Sequence, residues 1–151
     1  MTGINHALTG ALLVAAIDKP LVALPLALLS HFALDAVPHY GDGTGTVKPA
    51  SRQLQWAIRV DTLLVGLFLL AVFIFRPEQW SFIIMGALLG MSPDIMWLPA
   101  YVRQRRQMEP KERNWLMRFH QKIQWCERKW GIGVDAAWLT VMAPLLYSVV
   151  R

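Results

Sequence analysis

The sequence predicts an all-α polytopic membrane protein, with about five transmembrane helices and one interfacial amphipathic helix. Composition is the first reason: 55% of the 151 residues are hydrophobic, only 17% are charged, and the mean hydropathy is +0.37. One small soluble core cannot bury that much apolar surface. The second reason is arrangement, because the apolar residues form blocks long enough to enter a bilayer instead of short alternating strands.

Prolines, glycines and charged residues divide the chain into the expected helices. Asp18, Lys19 and Pro20 interrupt the first apolar block, so its two halves are expected to form a tight hairpin. Pro93 and Pro144 are expected to produce irregularities within later spans. The five spans are predicted over about 4–17, 21–38, 53–75, 80–101 and 134–150, all within one membrane domain, 1–151.

The basic residues are concentrated in one connection of the chain. Nine of them lie within residues 103–129, where Leu116, Phe119 and Ile123 recur at spacings of three and four. This pattern predicts a basic interfacial helix over about 110–130. Because Lys and Arg are retained on the cytoplasmic side, the N-terminus is expected in the cytoplasm and the protein in the inner (cytoplasmic) membrane. The net charge of +5 therefore indicates lipid headgroups as partners, and not nucleic acid.

Three ionisable residues recur every four positions in the second apolar block. On a regular helix His31, Asp35 and His39 share one face, and adjacent members lie roughly 6 Å apart along the axis. Two neighbours can therefore chelate one ion. The outer pair would lie roughly 12 Å apart, so either Pro38 bends the helix end inward or two ions are held.

Further ionisable residues interrupt apolar sequence in other spans. A carboxylate in hydrocarbon must be protonated, paired or coordinated, which makes Asp61 and Asp94 candidate catalytic residues. Antiparallel spans would bring Asp61, Asp94 and His6 into the cytoplasmic half of the membrane. The three residues spaced four apart in the second apolar block would lie there too. Imidazole and carboxylate suit zinc above all, or manganese or iron. The predicted metal ligands are His6, His31, Asp35, His39 and Asp94.

Each candidate also has a structural interpretation. His31 and Asp35 could be a hydrogen-bonded pair within the membrane, Asp94 could cap a helix that restarts after proline, and Asp61 could pair with Arg59. His6 and His39 lie nearer the interface and could simply face headgroups.

Two residues outside this set are expected to play no part in the site. His120 lies on the basic segment and is expected to be solvated, and Asp135 is expected to be an N-terminal helix charge. The tryptophans of the basic segment are expected to anchor it at the interface: Trp115, Trp125 and Trp130. Cys126 is the single cysteine, which excludes an intramolecular disulfide.

Three motifs together resemble a known family. They read NHALTGALL, LLSHFALDAVPHYGD and GALLGMSPDIMW, and they lie within the first hundred residues. They resemble the predicted membrane-bound metal-dependent hydrolases of bacteria, the group related to the YdjM-type inner-membrane proteins. The resemblance implies a small helical membrane protein with a histidine and aspartate metal centre. By matching motif to motif, it implies His6, His31, Asp35, His39 and Asp94 as functional residues.

The chain departs from the YdjM-type pattern in two places. The Pro-Asp-Ile-Asp-His form of those proteins is replaced by PDIMW at 93–97, and their later His-Arg-Gly-Phe-Thr-His run has no counterpart.

The function expected from the resemblance is metal-dependent hydrolysis of a lipid or other amphiphilic substrate, with a phosphoester as one candidate. Cation or proton transport and a non-enzymatic membrane anchor or assembly factor are the alternatives.

Overall fold

The computed structural model describes residues 1–41, 51–75, 77–109 and 112–151. The protein is all-helical, as predicted, apart from a two-residue strand pairing within the described residues. A 3-10 helix, Ser92–Trp97, lies between two of its α-helices. The helices are α1 (Gly3–Ala16), α2 (Pro20–Asp35), α3 (Arg52–Phe75), α4 (Trp80–Met91), α5 (Leu98–Arg105), α6 (Trp115–Ile123) and α7 (Ile132–Val150).

Three helical stretches are long and apolar enough to cross a membrane. They are Arg52–Phe75, Trp80–Arg103 and Lys129–Val150, and they match the last three predicted spans. The 14 residues of α1 and the 16 of α2 would rise about 21 Å and about 24 Å, which is less than the roughly 30 Å of hydrocarbon in a bilayer. Membrane localisation is therefore compatible with the fold, whereas five spans and the orientation stay predictions.

The short helix α1 lies at the centre and packs against α2, α3, α4 and α7. Its crossing with α4 is close because glycines face each other: a Cβ on Gly86 would meet the carbonyl of Gly10, and one on Gly90 would meet the carbonyl of His6. Gly86 and Gly90 form the small-residue spacing of four that lets membrane helices approach closely. Ala7 and Ala11 on α1 are fully buried beside this crossing.

The long helix α3 lies at the outside of the bundle. Within α3, all of which the structure describes, only Val65 and Val72 are buried. Large apolar side chains such as Leu63 and Leu67 are more than half exposed. A membrane helix presents such a surface to lipid tails, since lipid is as apolar as the side chains themselves.

Helix α2 ends at Asp35, before the predicted boundary at residue 38. Pro38 accounts for the difference, because proline disfavours helical conformation in the residue before it. The chain then forms β1 (His39–Tyr40), which pairs in parallel with β2 (Glu127–Arg128). Gly131 allows this approach, since a Cβ there would collide with the backbone of His39.

The basic segment forms a shorter helix than the predicted 110–130. Helix α6 begins after Asn114, whose side-chain oxygen caps it by accepting from the Met117 amide at 2.8 Å. It ends at Ile123 and continues through a 3-10 turn, Gln124–Cys126, into β2. The pairing of β2 with β1 holds the end of this segment against the end of α2.

Candidate metal centre

Four ionisable side chains meet where α2, α6 and the 3-10 helix converge. His31, Asp35, Asp94 and His120, called here the His/Asp cluster, each offer one nitrogen or oxygen atom, and these atoms all lie within 4.8 Å of one another. Three of the four side chains are buried. Asp94 is 38% exposed, so the cluster opens to its surroundings at that residue.

Helix α2 supplies two members of the cluster from its last turn. His31 and Asp35 are four residues apart, and His31 Nε2 lies 3.2 Å from Asp35 Oδ2. The other ring nitrogen, Nδ1, donates to the carbonyl of Gly90 at 2.9 Å, because a carbonyl oxygen can only accept. The backbone of the α1–α4 crossing thus orients the imidazole so that Nε2 faces the cluster.

Asp94 enters from the 3-10 helix that follows α4. Its Oδ1 atom lies 3.7 Å from His31 Nε2 and 3.9 Å from His120 Nε2. These separations exceed hydrogen-bond distance. Asp94 is therefore adjacent to both imidazoles without being bonded to either.

His120 is the residue that the sequence analysis placed outside the site. The expectation that it is solvated was wrong: His120 is fully buried, and its Nε2 lies 2.7 Å from Asp35 Oδ2. Its Nδ1 accepts a hydrogen bond from the indole of Trp97 at 3.1 Å. The sequence contained a signal for this position, since His120 is four residues after Leu116 and three before Ile123, on the apolar face of the helix.

Asp35 is the centre of the hydrogen-bond network. Its Oδ1 atom faces His6 Nε2 at 3.1 Å and the α-amino group of Met1 at 2.5 Å, and Gln124 donates to Oδ2 at 3.2 Å. The ring of His6 stacks on that of His31 with centroids 4.0 Å apart. The structure thus places His6, a predicted ligand, beside the cluster as a partner of Asp35.

His39 and Asp61 are not among the four residues that the structure brings together. His39 donates from Nδ1 to the Val37 carbonyl at 2.8 Å, and burial lowers its pKa, which favours neutral imidazole. Asp61 accepts from the backbone amides of Gly3 at 2.8 Å and Ile4 at 2.9 Å. Its carboxylate thus satisfies the N-terminus of α1, where backbone N–H groups lack helical partners.

Asp135 lies in the first turn of α7, as expected. It is buried and accepts hydrogen bonds from the backbone amides of Thr2 at 3.1 Å and Tyr40 at 2.8 Å. Asn5 also donates to its carboxylate, at 3.2 Å. Asp135 therefore ties α1, β1 and α7 together beside the cluster.

The donor atoms of the His/Asp cluster fit a divalent ion. Two carboxylates and two imidazole nitrogens converge in a largely buried space, where a cation would offset the negative charge of the carboxylates. Imidazole nitrogen with carboxylate oxygen is a donor set that first-row transition metals accept. The cluster could therefore bind a metal ion.

Comparison of the chain with family models, with curated proteins and with solved structures finds no match. The resemblance to membrane-bound metal-dependent hydrolases thus stays a prediction from the three motifs quoted above. The geometry of the His/Asp cluster is the main guide to function.

Proposed function

We propose that the protein is a metal-dependent hydrolase of the cytoplasmic membrane that acts on a lipid or other amphiphilic substrate. One observation carries this proposal: the convergence of two histidines and two aspartates within 4.8 Å. Because ionisable groups are costly among apolar helices, such a convergence is typical of a functional site. The motif resemblance to membrane-bound hydrolases agrees with it.

The residues of the His/Asp cluster have different roles in this proposal. His31, Asp35, Asp94 and His120 surround the position that the ion would occupy, and zinc is our first choice because it accepts imidazole nitrogen and carboxylate oxygen. When bound, a divalent ion supplies Lewis acidity to an ester and lowers the pKa of water. Asp94 is the most exposed member and is our candidate for accepting a proton from water. Asp61 has a structural role in this proposal, because it accepts hydrogen bonds from the backbone amides at the start of α1.

The surroundings of the cluster favour an amphiphilic substrate with an anionic group. Arg113 lies over the ring of Trp97, 5.9 Å from its centroid, and that indole contacts His120. The neighbouring tryptophans Trp115 and Trp125 are 74% and 67% exposed, as expected of anchors at a membrane interface. A phosphoester of a lipid would bring its charge to the arginines and its chains to the apolar helices.

Metal content of the purified protein tests the ion. We expect one divalent ion per chain in detergent, and loss of it in the His31→Ala, Asp35→Ala double variant. Asp18→Ala removes a carboxylate from the exposed hairpin turn and is the matched control, which should retain the ion. A wild-type protein that holds no metal when purified without chelators, and binds none on titration, would contradict the proposal.

Chromogenic esters in detergent micelles test the reaction. We expect the metal-loaded protein to release nitrophenolate from bis(p-nitrophenyl) phosphate, from p-nitrophenyl butyrate or from both, and the double variant to release none. Hydrolysis of the first ester alone would favour a phosphoester substrate. If the loaded wild type hydrolyses neither ester faster than the double variant does, the hydrolase proposal loses its support.

Cation or proton transport is the second candidate, because His6, Asp35 and His120 form a continuous chain of contacts that could pass a proton. In that case proteoliposomes would show a cation flux that the double variant abolishes. An anchor or assembly factor would instead tolerate the double variant and fail when the charges of residues 103–129 are neutralised.

A further inference from the structure

The indole of Trp97 determines which nitrogen of His120 carries the proton. Trp97 Nε1 lies 3.1 Å from His120 Nδ1, and an indole N–H can only donate. His120 Nδ1 must therefore be an acceptor, so the proton of the neutral ring is on Nε2. The contacts of Nε2 agree with this tautomer, since it faces Asp35 Oδ2 at 2.7 Å and His31 Nε2 at 2.9 Å.

His31 has the opposite tautomer. Its Nδ1 lies 2.9 Å from the Gly90 carbonyl, which can only accept, so Nδ1 carries a proton. Its Nε2 lies 2.9 Å from the protonated Nε2 of His120, and two N–H groups cannot face each other at that distance, so His31 Nε2 presents a lone pair to the cluster. Metal-binding histidines normally donate their other N–H to a carbonyl or carboxylate in this way. The two imidazoles of the cluster are therefore not equivalent toward a cation.

We propose that Trp97 holds His120 in the Nε2–H form, so that His31, Asp35 and Asp94 are the ligands and His120 directs an N–H donor at the same centre. This inference rests on the metal ion of the proposed function. Three protein ligands with one position left open are the arrangement of catalytic zinc sites, whereas structural sites use four.

Ligation by His120 Nε2 is disfavoured in this structure. It would require the proton to move to Nδ1, where it would point at the N–H of Trp97, and a buried hydrogen bond would be lost. Such a loss lowers an equilibrium constant on the order of 10- to 100-fold. The retained Nε2–H instead donates to Asp35 Oδ2 at 2.7 Å, the kind of contact that orients a ligating carboxylate. Trp97 is thus a positioning residue, which acts through His120.

Counting coordinated imidazoles tests the proposal on the wild-type chain. The full-length protein in detergent, with isotopically labelled histidine, is loaded with Cu²⁺ and analysed by pulsed electron paramagnetic resonance. We expect one coordinated imidazole, and two would overturn the proposal. A protein that binds neither Cu²⁺ nor Zn²⁺ would overturn the proposed metal site itself, which is a different result.

Paired variants locate that imidazole. We expect His31→Gln to lower Zn²⁺ affinity about 100-fold or more, as loss of a ligand does. His120→Gln keeps an N–H donor near the Nε2 position, so its affinity should stay within about 3-fold of wild type. Equal losses in the two variants would contradict the assignment of His120.

Trp97→Phe gives the clearest result because it removes the indole N–H and keeps an aromatic ring. His120 then no longer loses the Trp97 hydrogen bond when its proton moves to Nδ1, so we expect a second coordinated imidazole and a roughly 10-fold rise in Zn²⁺ affinity. Trp125→Phe removes the same group from a 67% exposed side chain and should change neither quantity. An unchanged imidazole count in Trp97→Phe would contradict the positioning role. Should a variant fail to fold, the wild-type count alone decides.

Discussion

Helices α1 and α3 differ in length, in polarity and in how far they are buried. The 14 residues of α1 include Asn5 and His6, both fully buried. The 24 residues of α3 are apolar over most of their length, and α3 buries only Val65 and Val72. The longer helix can cross hydrocarbon and face lipid, whereas the shorter one carries the polar groups and is surrounded by other helices.

This difference shows that the polar side chains of the site depend on other helices to shield them from lipid. A polar side chain exposed to lipid leaves its hydrogen bonds unmade, and each unmade bond costs several kcal/mol. His6 and Asn5 reduce that cost because α2, α4 and α7 surround α1 and provide partners for one atom of each side chain, Asp35 for His6 Nε2 and Asp135 for Asn5 Nδ2. The other polar atoms, His6 Nδ1 and Asn5 Oδ1, have no hydrogen-bond partner among the described residues. The stability of the site should therefore depend on the contacts of α1 and little on the outer face of α3.

The largest expected effect is at the α1–α4 crossing. A Cβ on Gly86 would collide with the Gly10 carbonyl, so Gly86→Ala should force the helices apart and lower the free energy of unfolding by about 3 kcal/mol. On α3, a Cβ on Gly66 meets no described atom within 4 Å. Gly66→Ala should be neutral or gain up to about 1 kcal/mol. Thermal unfolding in detergent compares the two, and equal stability would show that α1 and α4 do not cross closely.

A smaller effect is expected where α3 holds the start of α1. Asp61→Ala removes the acceptor for the amides of Gly3 and Ile4 and should lower stability by about 1–2 kcal/mol, like the loss of a helix cap, without changing metal content. Thr62→Ala is the control, since among the described residues its hydroxyl bonds to the Ile58 carbonyl of its own helix and to no residue of α1. Loss of ester hydrolysis from metal-loaded Asp61→Ala protein would instead support the catalytic role predicted from the sequence.

One side-chain hydrogen bond between α7 and α1 can be removed by a single substitution. The indole of Trp138 donates to Thr9 Oγ1 at 3.0 Å. Trp138→Phe should lower the free energy of unfolding by about 1 kcal/mol, the net value of one such bond, and Thr9→Val should add little to it in the double variant. Fully additive losses in this double-mutant cycle would contradict the contact.

The smallest effect is expected on the lipid face of α3. Leu67 is 53% exposed, so Leu67→Ala should change stability by less than about 0.5 kcal/mol. Val65, which is 7% exposed on the same helix, should show a larger loss when replaced by alanine, because it leaves a cavity. If Leu67→Ala is the more damaging of the two, another chain rather than lipid covers this face.

The long apolar segments were the most predictable part of the fold. The spans expected over about 53–75, 80–101 and 134–150 correspond closely to Arg52–Phe75, Trp80–Arg103 and Lys129–Val150, because length and hydropathy are local properties. The hairpin at Asp18, Lys19 and Pro20 was also predictable, since proline begins α2. How far α1 and α2 extend into a membrane depends on their neighbours, and local sequence does not contain that information.

Three of the four residues of the His/Asp cluster were predictable, since His31 and Asp35 share one helix and Asp94 was expected on the same side from the antiparallel spans. His31 and Asp35 meet because four residues make about one helical turn. His39 was expected on the same face, but α2 ends at Asp35 and the chain turns into β1. His120 lies beside Asp35 instead. The basic residues around it in the sequence had led to the expectation that it is solvated. Its position depends on the β1–β2 pairing and on Trp97, which are long-range contacts.

The wide spacing of the cluster along the chain has a consequence for biosynthesis. Asp35 and His120 are 85 residues apart, so at the usual rate of translation the ribosome needs roughly 4 to 17 s to add the second after the first. During this interval Asp35 lacks its contact with His120, although His6 and His31 have already been made. Because Asp94 is also made after Asp35, we expect metal insertion to follow the synthesis of Asp94, and a nascent chain stalled before Asp94 to carry no ion.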